Sequence, residues 1–286
     1  MSGSTTRAVI GADGQPLFEL PAALEIDTDA ARGRLTAFIR EQLAAAGLER
    51  VVLGLSGGID SALVAHLVAD ALGAERLLCV MLPYRTSSPA SLADAESVVS
   101  KLGCASDMVD ISPMVDAYFG GQPDASPVRR GNFMARTRMA VLYDRSVTWG
   151  GLVAGTGNKT EWLIGYTTVY GDSACAFNPV GDLYKSQVRQ LAVAMGVPDA
   201  IIRKAPSADL WPGQTDEGEA GFRYPVLDRI LQLRIDEGRS PDAVAAEGFD
   251  RGLVERVDGM VARSAFKRSL PPIARLTPAR HAHLDH

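Results

Sequence analysis

The junction at residues 51–72 constrains this chain more than any other stretch. A short apolar run, Val51-Val52-Leu53-Gly54-Leu55, ends in Ser56-Gly57-Gly58-Ile59-Asp60-Ser61 and passes at once into a helical pattern from Ser61 to Leu72, closed by Gly73. That order reads as strand, glycine-containing turn, helix. The same unit recurs. Leu77–Leu82 reads as a buried strand, Ser91–Leu102 as a helix stopped by Gly103, Asp107–Ile111 as a strand, residues 130–147 as a long helix, and Leu152-Val153-Ala154 as a fourth short strand. Ahead of the junction, Leu35, Phe38, Ile39, Leu43 and Ala46 recur at helical spacing from Asp29 onward until Gly47. Apolar strands alternating with helices imply a mainly parallel sheet covered on both faces, a single doubly wound α/β domain. Residues 1–20, rich in glycine and small polar residues, read as an irregular leader. The domain is expected over residues 21–276, with 277–286 as a tail.

In a doubly wound sheet, ligands sit beyond the carboxyl ends of the strands, so the loops after Leu55, Leu82 and Ala154 are the expected site. In the first of these loops, adjacent Gly57 and Gly58 let the backbone approach a bulky anion. The hydroxyls of Ser56 and Ser61 add donors, and the next helix points its N-terminal amides at the same place. The loop is a phosphate cradle, but it carries neither the Gly-Lys-Ser/Thr of a Walker loop nor a GxGxxG spacing. Asp60 adds a condition, because a carboxylate beside phosphates is repelled unless a divalent cation lies between them, which points to Mg²⁺. The competing reading is a turn in which Asp60 and Ser61 merely cap the helix.

Composition removes several alternatives. With 29 basic against 34 acidic side chains the net charge is −5, which argues against a chain built to grip nucleic acid or an anionic membrane. No apolar run approaches the ~20 residues of a membrane span and no signal-peptide pattern opens the chain, so no membrane partner and a cytoplasmic location are expected. Cys79, Cys104 and Cys175 form no CxxC. Of the four histidines, only His66 lies away from the last six residues, which argues against a Ser-His-Asp triad or a multi-histidine metal site.

The loop SGGxDS between a strand and a helix resembles the signature of the ATP pyrophosphatases, of adenine nucleotide α-hydrolase-like fold, which cleave ATP to AMP and pyrophosphate while adenylating a carboxylate or a similar oxygen. Within that group the chain resembles the ammonia-dependent NAD⁺ synthetases from about Leu24 to Leu276. The likeness rests on Gly54–Ser61, Leu82–Ser88, Gly131-Asn132 with Ala135–Met139, Gly155–Glu161, Gly181–Lys185 and Pro206–Trp211. It implies that Gly54, Leu55, Ser56, Gly57, Gly58, Ile59, Asp60 and Ser61 hold ATP together with Thr156, Lys185 and Ser207. It implies further that Asp60 and Glu161 are magnesium ligands, that Asp60 and Lys185 are catalytic, and that Arg136, Ser173 and Lys267 meet deamido-NAD.

The implied reaction is amidation of deamido-NAD with ammonia to give NAD⁺, AMP and pyrophosphate through an acyl-adenylate. It requires positioning and charge neutralisation rather than a nucleophilic side chain. The 286 residues leave no room for a glutamine-hydrolysing domain beside this one, so free ammonia or a separate partner is the expected nitrogen source. The resemblance also implies a homodimer, to which Phe133, Met134, Leu142 and Tyr143 on the long helix are candidate contributors. Segments 83–90 and 206–222 are the expected lids. The chain departs from the family pattern at three positions on the acceptor side, with Val169 in place of lysine, Ala176 in place of aspartate and Phe266 in place of histidine. An ATP-dependent amide ligase of the same family acting on a different carboxylate is therefore the alternative.

Overall fold

The computed structural model describes residues 6–11, 13–205 and 221–274. Four strands form a parallel sheet: β3 (Arg50–Gly54), β4 (Leu77–Met81), β5 (Ala105–Met108) and β6 (Gly151–Ala154), in the order β5-β4-β3-β6. The chain therefore winds outward from β3 through β4 to β5, then crosses back to place β6 on the other side of β3. The crevice between β3 and β6 is the topological switch point, where such sheets bind ligands.

Alternation along the strands divides the interior into two layers. Val51, Leu53, Leu77, Cys79 and Met81 face one core, shared with α1 (Thr28–Ala46), α2 (Ile59–Leu72) and α7 (Lys185–Ala194). Val52, Leu78 and Val80 face the other, packed with Ile111 and Val115 of α4 (Ser112–Phe119) and its N-cap, and with Met134 of α5 (Pro127–Trp149). Every residue of β4 is buried, as expected for a central parallel strand covered on both faces. Helix α2 is apolar on nearly all sides because it is enclosed by its neighbours, and its first turn opens at the carboxyl end of β3. Cys79 and Cys104, far apart in sequence, are free thiols whose sulfurs lie 3.7 Å apart in the core.

Two expectations are corrected. The leader is not irregular over residues 6–21: β1 (Thr6–Ile10) and β2 (Pro16–Pro21) pair as an antiparallel hairpin. Gly14 at φ 76° makes its turn, and the Phe18 and Leu20 side chains enter the main core. The third sheet strand spans Ala105–Met108 rather than Asp107–Ile111. Beyond it, Val109 and Ile111 each donate one backbone bond, to Met81 O and Pro83 O, before Asp110 caps the turn into α4. Ile111 is buried and Val109 half-buried by that turn and not by a longer strand.

Candidate active site

Helix α2 is short of a side-chain cap, since Gly58 occupies its N-cap position, so its first amides face the cavity. The two serines of the loop bind one another: Ser56 Oγ and Ser61 Oγ are 3.1 Å apart, Ser61 Oγ donates to Gly58 O at 3.1 Å, and Gly58 N donates to Ser56 Oγ at 3.2 Å. The sequence made these hydroxyls phosphate donors, whereas here they fix the loop and leave the backbone amides to face the anion. Gly57, at φ 78°, is pressed against α3 (Pro89–Leu102) and is the one loop residue outside the cavity lining.

The cavity, roughly 750 Å³, opens at the carboxyl ends of β3, β4 and β6. At the switch point Lys185 Nζ lies 2.5 Å from Asp60 Oδ2 and 3.2 Å from Glu161 Oε1, with only 3 % of its side chain exposed. Asp60 starts α2, Glu161 lies in α6 (Lys159–Ile164), and Lys185 starts α7. Three helix N-terminal turns thus converge, where the dipoles favour anions. Asn158 ties two of them together. Its side chain accepts from Glu161 N at 3.0 Å and donates to Asp60 Oδ1 at 2.9 Å, while Glu161 Oε2 accepts from Asn158 N at 3.2 Å. Two carboxylates sharing one ammonium leave an excess of negative charge in a pocket of oxygen donors. That set suits Mg²⁺, which takes one or two carboxylates and completes its shell with phosphates and water.

Beneath the charged triad is a buried carboxylate that sequence reasoning passed over. Asp228, on α9 (Tyr224–Leu231), accepts from Ser186 N at 2.8 Å, Ser186 Oγ at 2.7 Å and Thr160 Oγ1 at 2.6 Å, and Thr160 Oγ1 in turn accepts from Lys185 N at 3.0 Å. Asp228 therefore locks the first turn of α7, and with it Lys185, onto α6. Burial pushes its carboxyl up to about 6 from 3.8. Asp228→Ala leaves three donors without their acceptor and is expected to cost about 1–3 kcal/mol, read as a lower melting temperature. The raised value also fixes a sign. Stability contributed by Asp228 is fully present below about pH 4 and is lost as pH rises through about 6, so the stability of wild type relative to Asp228→Asn should decline across that window in urea titrations. No decline between pH 4 and 7 would contradict the assignment.

The remaining sequence candidates divide. Gly54, Leu55, Ser56, Gly58, Ile59, Asp60, Ser61, Thr156, Glu161 and Lys185 all line the cavity, whereas Ser207 lies outside the described residues. The three acceptor-side candidates do not line it, and each is engaged elsewhere. Arg136 is exposed and donates from Nε to Val169 O at 3.2 Å. Ser173 Oγ donates to Thr168 O at 2.9 Å and accepts from Tyr170 N, closing a turn that holds Tyr170 at φ 59°. Lys267 Nζ donates to Gly165 O and Thr167 O, both at 2.7 Å, and so braces the wall residues Gly165 and Thr167. Of the departures from the family pattern, Ala176 lies at the sheet edge with its N–H on Val153 O, and Phe266 is 68 % exposed.

The chain is similar to known proteins in sequence and in fold. The NAD synthase family profile matches residues 32–271. The NH₃-dependent NAD⁺ synthetase of Trichlorobacter lovleyi is 51 % identical over 254 residues, covering 89 % of this chain and 93 % of the relative. That of Fusobacterium nucleatum is 46 % identical over 253 residues, 88 % of this chain and 98 % of the relative. Among solved structures, NH₃-dependent NAD synthetase from Campylobacter jejuni aligns with a TM-score of 0.76 at 34 % identity, over 88 % of this chain and all of the other. The structure of NMN synthetase from Francisella tularensis aligns with a TM-score of 0.79 at 32 % identity over the same shares. With the family profile spanning most of its length and relatives near half identity across nine-tenths of it, the chain belongs to the NAD synthase family.

Proposed function

We propose that the protein is a ligase that amidates deamido-NAD with ammonia at the expense of ATP, giving NAD⁺, AMP and pyrophosphate. The Lys185–Asp60–Glu161 cluster beside the open N-terminus of α2 carries this reading, since it is a triphosphate site with a place for a cation and no nucleophile. The amides of residues 59–61 receive the phosphates, Thr156 contacts ATP from the end of β6, and Ser207 joins them. Asp60 and Glu161 would hold Mg²⁺, which would supply charge neutralisation on the phosphates. Lys185, fixed by Asp228 through Thr160 and Ser186, neutralises charge building on the leaving pyrophosphate. A carboxylate oxygen of deamido-NAD attacks the α-phosphorus and pyrophosphate leaves. Ammonia then adds to the acyl carbon and AMP departs with that oxygen, while the surplus proton passes to solvent.

Arg136, Ser173 and Lys267 are the proposed contacts for deamido-NAD. Each would exchange one present partner for substrate, and Phe266 presents an exposed ring in place of the family's histidine. The Francisella neighbour, described as an NMN synthetase, favours a second reading in which the acceptor is a mononucleotide carboxylate. Ammonium-dependent AMP release across a panel containing deamido-NAD and nicotinate mononucleotide separates the two. Deamido-NAD should give the highest kcat/KM, and a preference for any other acid would replace this substrate assignment.

A homodimer is proposed as well, with a corrected surface. Met134 is buried and so is not available as sequence reasoning assumed, whereas Phe133 and Leu142 are half-buried against the second core. The exposed apolar residues of α5 are Val128, Tyr143 and Val147. Light scattering should report about twice the 30.4 kDa chain mass at micromolar concentration, and a 30.4 kDa particle there would remove the dimer.

A further inference from the structure

Lys204 follows α8 (Asp199–Arg203) and lines the cavity with Ser87, Ser88 and Ser91 at the start of α3. Its ammonium donates to Ser91 Oγ and to Asp94 Oδ2, each at 2.9 Å. Ser91 is also the residue on which the phosphate loop rests, for a Cβ on Gly57 would stand 1.9 Å from its carbonyl oxygen. Lys204 is thus anchored on the α3 flank of the loop, whereas Lys185 serves the β6 flank.

Charge in the cavity singles this lysine out. The charged residues of the lining are Asp60, Glu161, Asp172, Arg138, Lys185 and Lys204. Lys185 is held between two carboxylates that themselves face the cavity, and Arg138 donates to Leu82 O at 3.0 Å. The acid that balances Lys204, Asp94, is not part of the lining. Both side chains of the pair are partly exposed, at 32 % and 21 %, and such pairs are weakly held. A polyphosphate, with more charge and more acceptors than one carboxylate, competes well for that ammonium.

We propose that Lys204 is a phosphate-binding residue of this site, which leaves Asp94 to engage the terminal phosphates of ATP and the pyrophosphate they become. The inference rests on the function proposed above and adds a second cation across the loop from Lys185.

Steady-state kinetics on the full chain test it through K204M, K204R and D94N, with ammonium and deamido-NAD as co-substrates and pyrophosphate as product inhibitor. K204M should raise both the KM for ATP and the inhibition constant of pyrophosphate at least ~10-fold, with the KM for deamido-NAD changed less than about twofold, because the lost charge faces only the polyphosphate. K204R should recover most of the loss. D94N removes the same ion pair but frees the ammonium, so it should leave both constants unchanged or lower. K204M and D94N both lose the ion pair between Lys204 and Asp94, and K204M also loses the bond to Ser91 Oγ, so the melting temperatures of both variants are read alongside. A K204M effect confined to ATP and pyrophosphate, at a melting temperature close to that of D94N, is assigned to phosphate binding. Equal effects of K204M and D94N, or no effect of K204M, would overturn the proposal. A wild-type protein inactive with deamido-NAD would instead overturn the proposed function, so the two failures are distinct.

Discussion

Asp60→Asn should lower ammonium-dependent pyrophosphate release at least ~100-fold at saturating Mg-ATP, with the fold retained. The two oxygens of Asp60 accept from different donors, Asn158 Nδ2 at 2.9 Å and Lys185 Nζ at 2.5 Å. An asparagine offers one acceptor. Turning it to Lys185 sets its amide against the amide of Asn158, which cannot reverse because its own oxygen caps Glu161 N. The substitution therefore removes a negative charge from the proposed cation site and places donor against donor in the tie between α2 and α6. Glu161 alone would then hold the cation. The readouts are pyrophosphate release and the melting temperature. Wild-type release from a normally folded Asp60→Asn would remove Asp60 from the site.

The second large effect is expected at the one loop residue that does not line the cavity. Gly57→Ala should cost roughly 2–5 kcal/mol of stability, from about 1–2 for an L-residue in the left-handed region and the rest from overpacking. Gly57 has φ 78°, and a Cβ there would lie 1.9 Å from Ser91 O, 2.8 Å from its carbonyl carbon and 3.1 Å from its Cα. Three backbone atoms cannot yield as the end of a side chain would, so either the loop or the first turn of α3 must move. Gly58→Ala provides the contrast. Its φ is −88°, and the nearest neighbour of an added Cβ is the Ser56 hydroxyl oxygen at 3.2 Å. Urea denaturation of the two variants should therefore separate them, with Gly57→Ala much the less stable. Equal stability would mean that the loop does not rest on α3 as described.

The contrast between the two glycines shows how far the sequence could be read. That residues 56–61 form an anion loop follows from strand, glycine pair and helix in succession, all of them local signals. Which glycine is indispensable depends on Ser91, more than thirty positions away, and no local pattern carries that contact. The leader hairpin was missed for a related reason. Two short strands broken by Gly11 and Gly14 have too little periodicity to show alone, and only the core that accepts Phe18 and Leu20 gives them a face.

Within the site, the residues legible from local signals are those of the loop after β3, while Thr156, Glu161 and Lys185 came through the resemblance. The supporting residues were not legible. Asn158 did carry a signal, since Asn-x-x-Glu before a short helix is a capping box, but its second bond to Asp60 arises only where β3 and β6 adjoin. Asp228 is a single acid in an otherwise apolar helix face, a pattern that more often marks a solvated edge. Its burial against Thr160 and Ser186 is a product of tertiary packing. The acceptor-side candidates came from resemblance alone, and their present partners within the chain show why local chemistry could not have singled them out.

Formation of an acyl-adenylate is the central claim, and an isotope label tests it most directly. Deamido-NAD carrying ¹⁸O in its nicotinate carboxylate, turned over once with Mg-ATP and ammonium, should deliver one labelled oxygen to AMP and none to pyrophosphate, because the oxygen that attacks the α-phosphorus leaves with AMP. Unlabelled AMP, or ADP as the product, would contradict that route.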